Sequence, residues 1–286
     1  MLKLLVLLFG LALAAHAATR TPELQAAVDL YSQRKNAEAK AAFEKLAAAD
    51  TKNAEVWHFL GQVAIRADDP ESAAKHHEKA VALDPANSNY YLRLGDAYGR
   101  SAQKAGIFSK MGLAGKCRTA YEKAVELDPK NIDARFSLMG FYQQAPGIAG
   151  GGTDKAMMQA QEIKKLDPAR GRQAIAGVYA ADKKYDLAFA EYEEVLKATP
   201  NDYGALFQTG RLAAISGERL DYGLKVLQQC LTMTAPEGQP PHAAAHWRIG
   251  YIFEKKGDKT RARAAYEASL KLDPKFPQAI ESLKKL

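Results

Sequence analysis

The chain has 286 residues, of which 47% are hydrophobic and 26% are charged, and its formal net charge at pH 7 is +7. Its 40 Lys and Arg residues are interspersed with 33 Asp and Glu residues instead of forming blocks. Such a pattern is typical of a solvated surface, so we expect no nucleic-acid partner.

The N-terminal segment predicts export from the cell. Lys3 precedes an unbroken apolar stretch from Leu4 to Ala15, and the small residue Ala17 follows closely. This is the layout of a secretory signal peptide, and the stretch is shorter than the about 20 residues that cross a bilayer. We expect cleavage after Ala17 and a periplasmic or secreted protein with no membrane span, since no second apolar run follows.

A short phrase recurs along the rest of the chain. Leu-Asp-Pro occupies residues 83–85, 127–129, 166–168 and 272–274, each time after an Ala-rich helical pattern. Counting back from Pro85 gives a block of residues 54–87 that contains Trp57, Leu60, Gly61, Ala64, Ala73, His77 and Ala80. This block resembles the tetratricopeptide repeat of about 34 residues. The resemblance implies two antiparallel helices, packed closely through the small residues and ended by the proline.

The same register divides residues 18–286 into successive units. We predict repeats at residues 20–53, 54–87, 88–131, 132–168, 169–202, 203–242 and 243–276, and a capping helix at residues 277–286. Stacked repeats bury one another's apolar faces, so the resemblance implies an all-α, right-handed solenoid of about seven helix-turn-helix units. Cys117 and Cys230 fall at small buried positions three repeats apart, which favours buried free thiols over a disulfide.

The resemblance also implies a binding surface. Tetratricopeptide solenoids are similar in presenting the first helix of each unit on a concave face that holds peptides or partner helices. The matching positions in this chain are His58, Phe59, Gln62, Arg66, Arg93, Asp96, Arg100, Phe136, Gln143, Gln173, Phe207, Gln208, Arg211, Trp247, Arg248, Tyr251 and Lys255. Aromatic and arginine side chains dominate binding hot spots, so we expect a protein or peptide partner here, with a merely solvated polar lining as the alternative.

One known mode of binding in the family does not fit this chain. Chaperone-binding members hold a C-terminal carboxylate with lysine and asparagine side chains. The corresponding places here are His58, Gln62 and Arg93. We therefore expect no carboxylate clamp of that kind.

The third repeat, residues 88–131, is about ten residues longer than the usual tetratricopeptide repeat, and its extra residues lie within residues 101–116. In the interpretation that we favour, its two helices are longer and pack Ala105, Ile107, Phe108, Met111 and Leu113 against each other. In the alternative, these residues form an exposed apolar lip flanked by lysines. Such a lip would receive an acidic, partly apolar partner.

A glycine-rich loop at residues 145–155 is the most unusual segment of the sequence. Glycine-rich turns before helices can bind anions, but the phosphate-loop pattern needs Gly-Lys-Ser/Thr after a strand, and this loop joins two helices. We expect Asp154 to cap the following helix and no nucleotide to bind. The loop is similar to one in secreted bacterial tetratricopeptide proteins of unassigned activity.

Groups that could carry catalysis or hold a metal ion are scarce. His242 and His246 are spaced i, i+4, as in some zinc sites, but no acidic residue lies at a useful spacing, and Pro241 places His242 at a helix start. No Ser-His-Asp, Cys-His or paired-acid arrangement can be assembled from the sequence. We therefore predict no enzymatic activity, no metal and no cofactor.

Two functions from different classes remain open at this point. The first is a scaffold or adaptor in the bacterial cell envelope that docks a peptide or partner helix in the concave groove. The second is a protein that binds a small ligand or a cell-wall polymer through the glycine-rich loop and the groove aromatics. A stoichiometric protein partner captured from an envelope extract would favour the first function.

Overall fold

A computed structural model describes residues 20–286, so the predicted signal peptide at residues 1–17 lies outside the described residues. In residues 20–286 the chain forms fifteen α-helices, one short 3-10 helix at Gly147–Ala149 and no strand. The helices are α1 (Pro22–Ser32), α2 (Asn36–Ala49), α3 (Ala54–Arg66), α4 (Pro70–Leu83), α5 (Ser88–Lys104), α6 (Ile107–Leu127), α7 (Ile132–Gln144), α8 (Thr153–Leu166), α9 (Pro168–Ala181), α10 (Tyr185–Ala198), α11 (Tyr203–Ser216), α12 (Leu220–Leu231), α13 (His242–Lys255), α14 (Lys259–Leu272) and α15 (Pro277–Lys285). No helix in this part of the chain combines the length and the apolar character that a membrane crossing needs.

The helices pair as hairpins, from α1 with α2 to α13 with α14, and α15 follows as a single helix. Each hairpin is antiparallel; in α5 and α6, for example, Gly95 faces Tyr121 while Gly99 faces Cys117. The chain divides into two compact units between Pro85 and Ala86, the first containing α1–α4 and the second α5–α15. The all-α repeat fold expected from the sequence is confirmed.

Polar side chains and prolines set the ends of the helices. Asn53, Asn87 and Asn131 accept hydrogen bonds from backbone amides in the first turns of α3, α5 and α7. Leu-Asp-Pro ends α4, α6 and α14, because proline cannot continue a helix. At residues 166–168 the same phrase joins two helices directly, since Pro168 is the first residue of α9.

Close packing within a hairpin depends on glycine in the first helix. Four hairpins have a glycine facing a large side chain of the second helix, in the pairs Gly61 and His77, Gly95 and Tyr121, Gly210 and Leu227, and Gly250 and Tyr266. A Cβ atom placed on Gly95 would lie 2.5 Å from the Tyr121 ring, well inside van der Waals contact. These close-approach glycines leave room for the facing side chains, so the two helices of each hairpin can pack closely.

Each unit has an apolar core of its own. In the first unit, Phe43, Val56 and Leu60 are almost completely buried in one cluster. The second unit has a cluster around Phe189 and Tyr192 and another around Leu206 and Leu227. Both thiols are buried and free, as predicted, and Cys230 belongs to the last cluster.

The long third hairpin corrects the interpretation that we favoured. Its helices α5 and α6 are extended, as expected, but the apolar residues at its turn do not pack between them. Ile107 and Phe108 are 78% and 97% exposed, and Met111 is also exposed. Among residues 20–286, no neighbouring element covers these side chains at the start of α6.

The helix after the glycine-rich loop also begins differently from the prediction. The residue before α8 is Gly152, which has no side chain to cap the helix, and Asp154 lies inside the first turn. The carboxylate of Asp154 is therefore near the positive end of the helix dipole, but it is not the N-cap residue.

Candidate functional site

The residues predicted to line a concave surface differ widely in exposure. Five are exposed, namely Arg66, Arg100, Gln143, Arg211 and Lys255. Those that are partly buried are His58, Phe59, Gln62, Arg93, Asp96, Phe136, Gln173, Gln208, Trp247, Arg248 and Tyr251. Phe207 is the buried member of the set.

Phe207 is buried, so its prediction as a surface residue is wrong. Its ring is only 4% exposed and belongs to the apolar cluster around Leu206 and Leu227. Ten residues of α11 are buried, so this helix is covered on most of its circumference and not on a single face. The Phe207 ring therefore stabilises the core and is not available to a partner.

In the first compact unit, two of the predicted surface residues, Phe59 and Arg66, make their contacts with other residues of that unit. The Phe59 ring stacks on Phe43 with centroids 5.1 Å apart, which places it over the core. Arg66 donates a 2.6 Å hydrogen bond to the Tyr31 carbonyl oxygen and contacts the Asn36 side chain, and its guanidinium lies 3.4 Å from the centroid of the Tyr31 ring. These contacts give Arg66 a structural role between α3 and the first hairpin.

Arg93 and Asp96 on α5 neutralise each other. The Arg93 guanidinium lies 3.0 Å from one oxygen of Asp96, and the other oxygen accepts a 2.9 Å hydrogen bond from the Tyr121 hydroxyl. Burial, together with the Asp96 charge, holds the pKa of Tyr121 well above its ordinary value, so the phenol stays a donor. This triad ties α5 to α6 and leaves little unsatisfied charge for a ligand.

Two further predicted residues make contacts across neighbouring helices. The Phe136 ring lies under the guanidinium of Arg170, which also pairs with Asp133. Gln173 donates a long hydrogen bond, 3.4 Å, to Asp202, the N-cap residue of α11. These contacts link α7 with α9 and α9 with the start of α11.

Arg211 on α11 and Arg248 on α13 form a pair of like charges, which we call the arginine pair. Burial and the charge of Arg211 lower the pKa of Arg248 to about 10. Arg211 donates a 3.3 Å hydrogen bond to the amide oxygen of Gln208, while the Arg248 guanidinium lies 4.0 Å from the Trp247 ring centroid. The Nε atom of Arg248 is buried without a hydrogen-bond partner among the described residues. No carboxylate in residues 20–286 forms an ion pair with either arginine.

The rings beside the arginine pair are held by the C-terminal helix. Trp247 Nε1 donates a 3.0 Å hydrogen bond to Ser282 on α15, and the Trp247 ring stacks against Tyr251. The ammonium of Lys255 lies 5.4 Å from the Tyr251 ring. A contact from α15 therefore fixes the Trp247 ring, against which Tyr251 stacks.

A cavity of about 610 Å³ lies between α5, α6, α7 and the loop after α7. Its wall includes Ala102, Met111, Ala114, Phe141 and Ala149. The exposed apolar residues at the start of α6 lie at this cavity, since Ile107 contributes to the wall. No pattern in the sequence indicates a cavity here directly, although residues 97–121 contain no acidic residue.

The glycine-rich loop does not form an anion cradle. The amides of Gly150, Gly151 and Gly152 all donate hydrogen bonds to backbone carbonyl oxygens of residues 142–147. Arg118 and Lys155 donate to carbonyl oxygens of the same loop. The loop therefore uses its own donors to stay folded, and an anion would have to displace these bonds.

Chemistry at the buried thiols is suppressed by their surroundings. Burial raises the pKa of both Cys117 and Cys230 to about 12, so neither is a ready nucleophile at neutral pH. In the part of the chain that the structure describes, no three His, Cys, Asp or Glu side chains are grouped so as to hold a metal ion. His242, at the start of α13, stacks on the Tyr203 ring.

Comparison with known sequences identifies the repeat. Family models described as tetratricopeptide repeat match residues 24–88, 101–131 and 243–276. Cellulose synthase operon protein C of Pseudomonas fluorescens (strain SBW25) is 31% identical over 121 residues, which cover 41% of this chain and 9% of that protein. The similarity thus spans a small part of that relative's length.

Solved structures share the fold at low sequence identity. A tetratricopeptide repeat protein from Parabacteroides merdae has a TM-score of 0.67 and 14% identity, with 92% of this chain and 96% of that chain covered. The C-terminal part of a TPR repeat-containing protein from Cytophaga hutchinsonii has a TM-score of 0.54 and 19% identity, with 91% and 98% covered. PilF of Pseudomonas aeruginosa has a TM-score of 0.54 and 16% identity, with 82% and 97% covered.

The matched segments lie in both compact units and coincide with hairpins that carry the close-approach glycines Gly61 and Gly250. The chain belongs to the tetratricopeptide repeat family, whose members in general are protein–protein interaction scaffolds and not enzymes.

Proposed function

We propose that this chain is a protein-binding scaffold whose second unit holds an acidic segment of a partner against the arginine pair, Arg211 and Arg248. One observation carries the proposal. The Arg248 guanidinium is partly buried beside the Trp247 ring, and its Nε atom has no hydrogen-bond partner among the described residues. The charge of Arg211 also lowers the pKa of Arg248. Like charges in such a place repel each other and lose hydration, and a bound carboxylate would offset both costs.

The surroundings of the arginine pair suit a peptide. Gln208 supplies an amide beside Arg211, and the rings of Trp247 and Tyr251 supply rigid apolar area beside Arg248. An arginine presents a fork of donors that matches the two oxygens of a carboxylate. Rigid aromatic side chains next to arginine are typical of binding hot spots.

The proposal is tested by capture from an envelope extract of the native host. The immobilised wild-type chain should retain a protein in stoichiometric amount. Replacing the arginine pair by Arg211→Gln and Arg248→Gln should weaken capture about tenfold or more, because two charge-assisted contacts are lost. Raising the salt concentration should weaken wild-type capture in the same direction.

Arg263→Gln provides the matched control. Arg263 is exposed on α14, the second helix of its hairpin, so this change removes a charge of the same kind from outside the pair. Capture by this variant should equal that of the wild type. Absence of any stoichiometric protein partner would contradict the proposal and would favour a protein that binds a small ligand or a cell-wall polymer.

We also propose that the chain acts in the bacterial cell envelope after export. The support is the layout of residues 1–17, with one lysine before a short apolar stretch that ends in small residues. Mass spectrometry of the exported fraction should give an N-terminus at Ala18. An intact Met1 in the membrane fraction would overturn this assignment.

A further inference from the structure

The cavity between α5, α6 and α7 is suited to bind an apolar group. Its volume is about 610 Å³, and small or apolar residues such as Ala102, Ala114 and Phe141 form much of its wall. Gly140 on α7 also lines it, and a Cβ atom there would have only the Gln144 amide nitrogen within 4 Å, at 3.9 Å. The space in front of α7 is therefore open to a side chain from outside.

Apolar side chains protrude around this cavity. Phe108 is 97% exposed, beside the wall residue Ile107. Ile148 is 87% exposed, in the 3-10 helix between the wall residues Pro146 and Ala149. A small molecule inside the cavity would leave Phe108 and Ile148 in water, so an occupant that covers them must extend beyond the cavity.

Basic residues predominate in the segment that forms much of the cavity wall. Between residues 97 and 121 the chain has five basic residues, Arg100, Lys104, Lys110, Lys116 and Arg118, and no acidic residue. Arg118 pairs with Glu122, whereas Arg100, Lys110 and Lys116 form no ion pair within residues 20–286. The ammonium of Lys116 lies 5.2 Å from the Tyr98 ring. An occupant with acidic residues on its flanks would complement this surface.

We infer that this cavity and its protruding rim bind an acidic amphipathic helix of a partner protein. Apolar side chains along one face of that helix would fill the cavity, and Phe108 and Ile148 would pack beside it. Its carboxylates would face Arg100, Lys110 and Lys116. An anionic bilayer could attract the lysines and the rim, but a flat surface would leave the cavity unfilled, so the concave shape favours the helix. The inference rests on the proposed function, because it names a segment that the scaffold would hold.

The test uses a fluorescent synthetic peptide with leucine at helical positions i, i+3, i+4 and i+7 and glutamate at the others. Fluorescence anisotropy with the full chain should show binding that Gly140→Leu weakens about tenfold or more, because the new side chain occupies the cavity. Phe108→Ser should also weaken binding, and because this ring is almost fully exposed the fold should be unaffected.

Gly177→Leu is the matched control. Gly177 lies within α9, and a Cβ atom there would have no neighbour within 4 Å, so the same substitution fits without touching the cavity. This variant should bind the peptide within about twofold of the wild type. Equal loss of binding in Gly140→Leu and Gly177→Leu, or unchanged binding in Gly140→Leu, would overturn the inference.

Two further probes separate the possible occupants. A peptide with lysine in place of glutamate should bind at least about tenfold more weakly, since Arg100, Lys110 and Lys116 repel it. Vesicles of phosphatidylcholine and phosphatidylglycerol should show no difference between wild type and Gly140→Leu. Vesicle binding that Gly140→Leu abolishes, with no binding of the acidic peptide, would assign the surface to a membrane instead.

The same assay distinguishes this inference from the proposed function. The Arg211→Gln and Arg248→Gln variant should keep the peptide at the α5–α7 cavity while losing the partner captured from extract. If that double variant loses the peptide and Gly140→Leu keeps it, the arginine pair binds acidic helices and the cavity does not.

Discussion

Glycine at the close-approach position controls how tightly a hairpin packs. The Tyr121 ring that lies over Gly95 also donates its hydroxyl to Asp96, so one aromatic side chain both fills the groove and ties the helices together. A substituent on Gly95 displaces that ring and strains the hydrogen bond. By contrast, Gly177 faces open space, so the same residue type has no packing role there.

We predict that Gly95→Ala destabilises the chain by about 1–3 kcal/mol, because the methyl group overlaps the Tyr121 ring. The matched change Gly177→Ala should stabilise it by up to about 1 kcal/mol, since alanine is the better helix former. Urea unfolding followed by circular dichroism measures both. A loss of stability in Gly177→Ala comparable to that in Gly95→Ala would refute the distinction.

The buried thiols provide a second prediction at the residue scale. Because burial raises the pKa of Cys117 and Cys230 to about 12, few thiolates form at pH 8. Reaction with Ellman's reagent should be slow in the folded chain and rapid for both thiols in denaturant. Fast reaction of either thiol under native conditions would show that its side chain is accessible to the reagent.

At the scale of elements, the extra residues of the third hairpin can be tested separately for a role in folding and for a role in peptide binding. The spacing from Gly95 to Tyr121 exceeds that from Ala176 to Tyr192, the equivalent pair of α9 and α10, by ten residues. Replacing residues 101–113 by the Asp182–Lys184 turn restores the shorter hairpin. We predict that the trimmed chain stays folded with a similar melting temperature, because contacts between neighbouring repeats remain, but loses the acidic amphipathic peptide. Retained peptide binding, or an unfolded third hairpin, would rule out a dispensable binding lip.

Much of this architecture was predictable because it follows from short-range rules. Gly61 and Gly95 repeat at one offset, and the proline of each Leu-Asp-Pro ends or begins a helix, so the hairpins could be placed from the sequence. Whether Phe108 and Phe207 are buried or exposed could not be predicted in this way. Helical periodicity gives the direction of a side chain, but whether a neighbouring element covers that side depends on the packed structure. Phe207 is buried in a cluster with residues of α12 and α13, whereas no element in residues 20–286 covers Phe108.

For the whole molecule, stability is distributed over the hairpins and not concentrated in one centre. Each unit has its own apolar cluster, and repeats of this kind gain stability mainly from their nearest neighbours. A change that acts on both units at once is therefore needed to probe the chain as a whole. Protonation of partly buried histidines is such a change, because His76 lies in the first unit and His246 in the second.

Acid should destabilise both units through these imidazoles. Burial lowers the pKa of His76, which stacks on Trp57 at 5.7 Å, and burial followed by the His242 charge lowers the pKa of His246. As the pH falls, histidines in the unfolded chain bind protons near pH 6.5, whereas the folded ones bind them only at lower pH. The free energy of unfolding is therefore highest above pH 6.5 and decreases as the pH falls toward the folded pKa values.

We therefore predict that the melting temperature declines between about pH 7 and pH 5 and that a variant with His76→Gln and His246→Gln shows a flatter profile there. The helix-capping carboxylates Asp69 and Asp258 do not obscure this window. Hydrogen bonds to Ser72 and to Arg261, respectively, hold their pKa values below the ordinary 3.8, so their contribution is lost at lower pH. Differential scanning calorimetry across this range tests the prediction. Profiles of equal slope in the wild type and the double variant would show that these two histidines do not couple stability to pH.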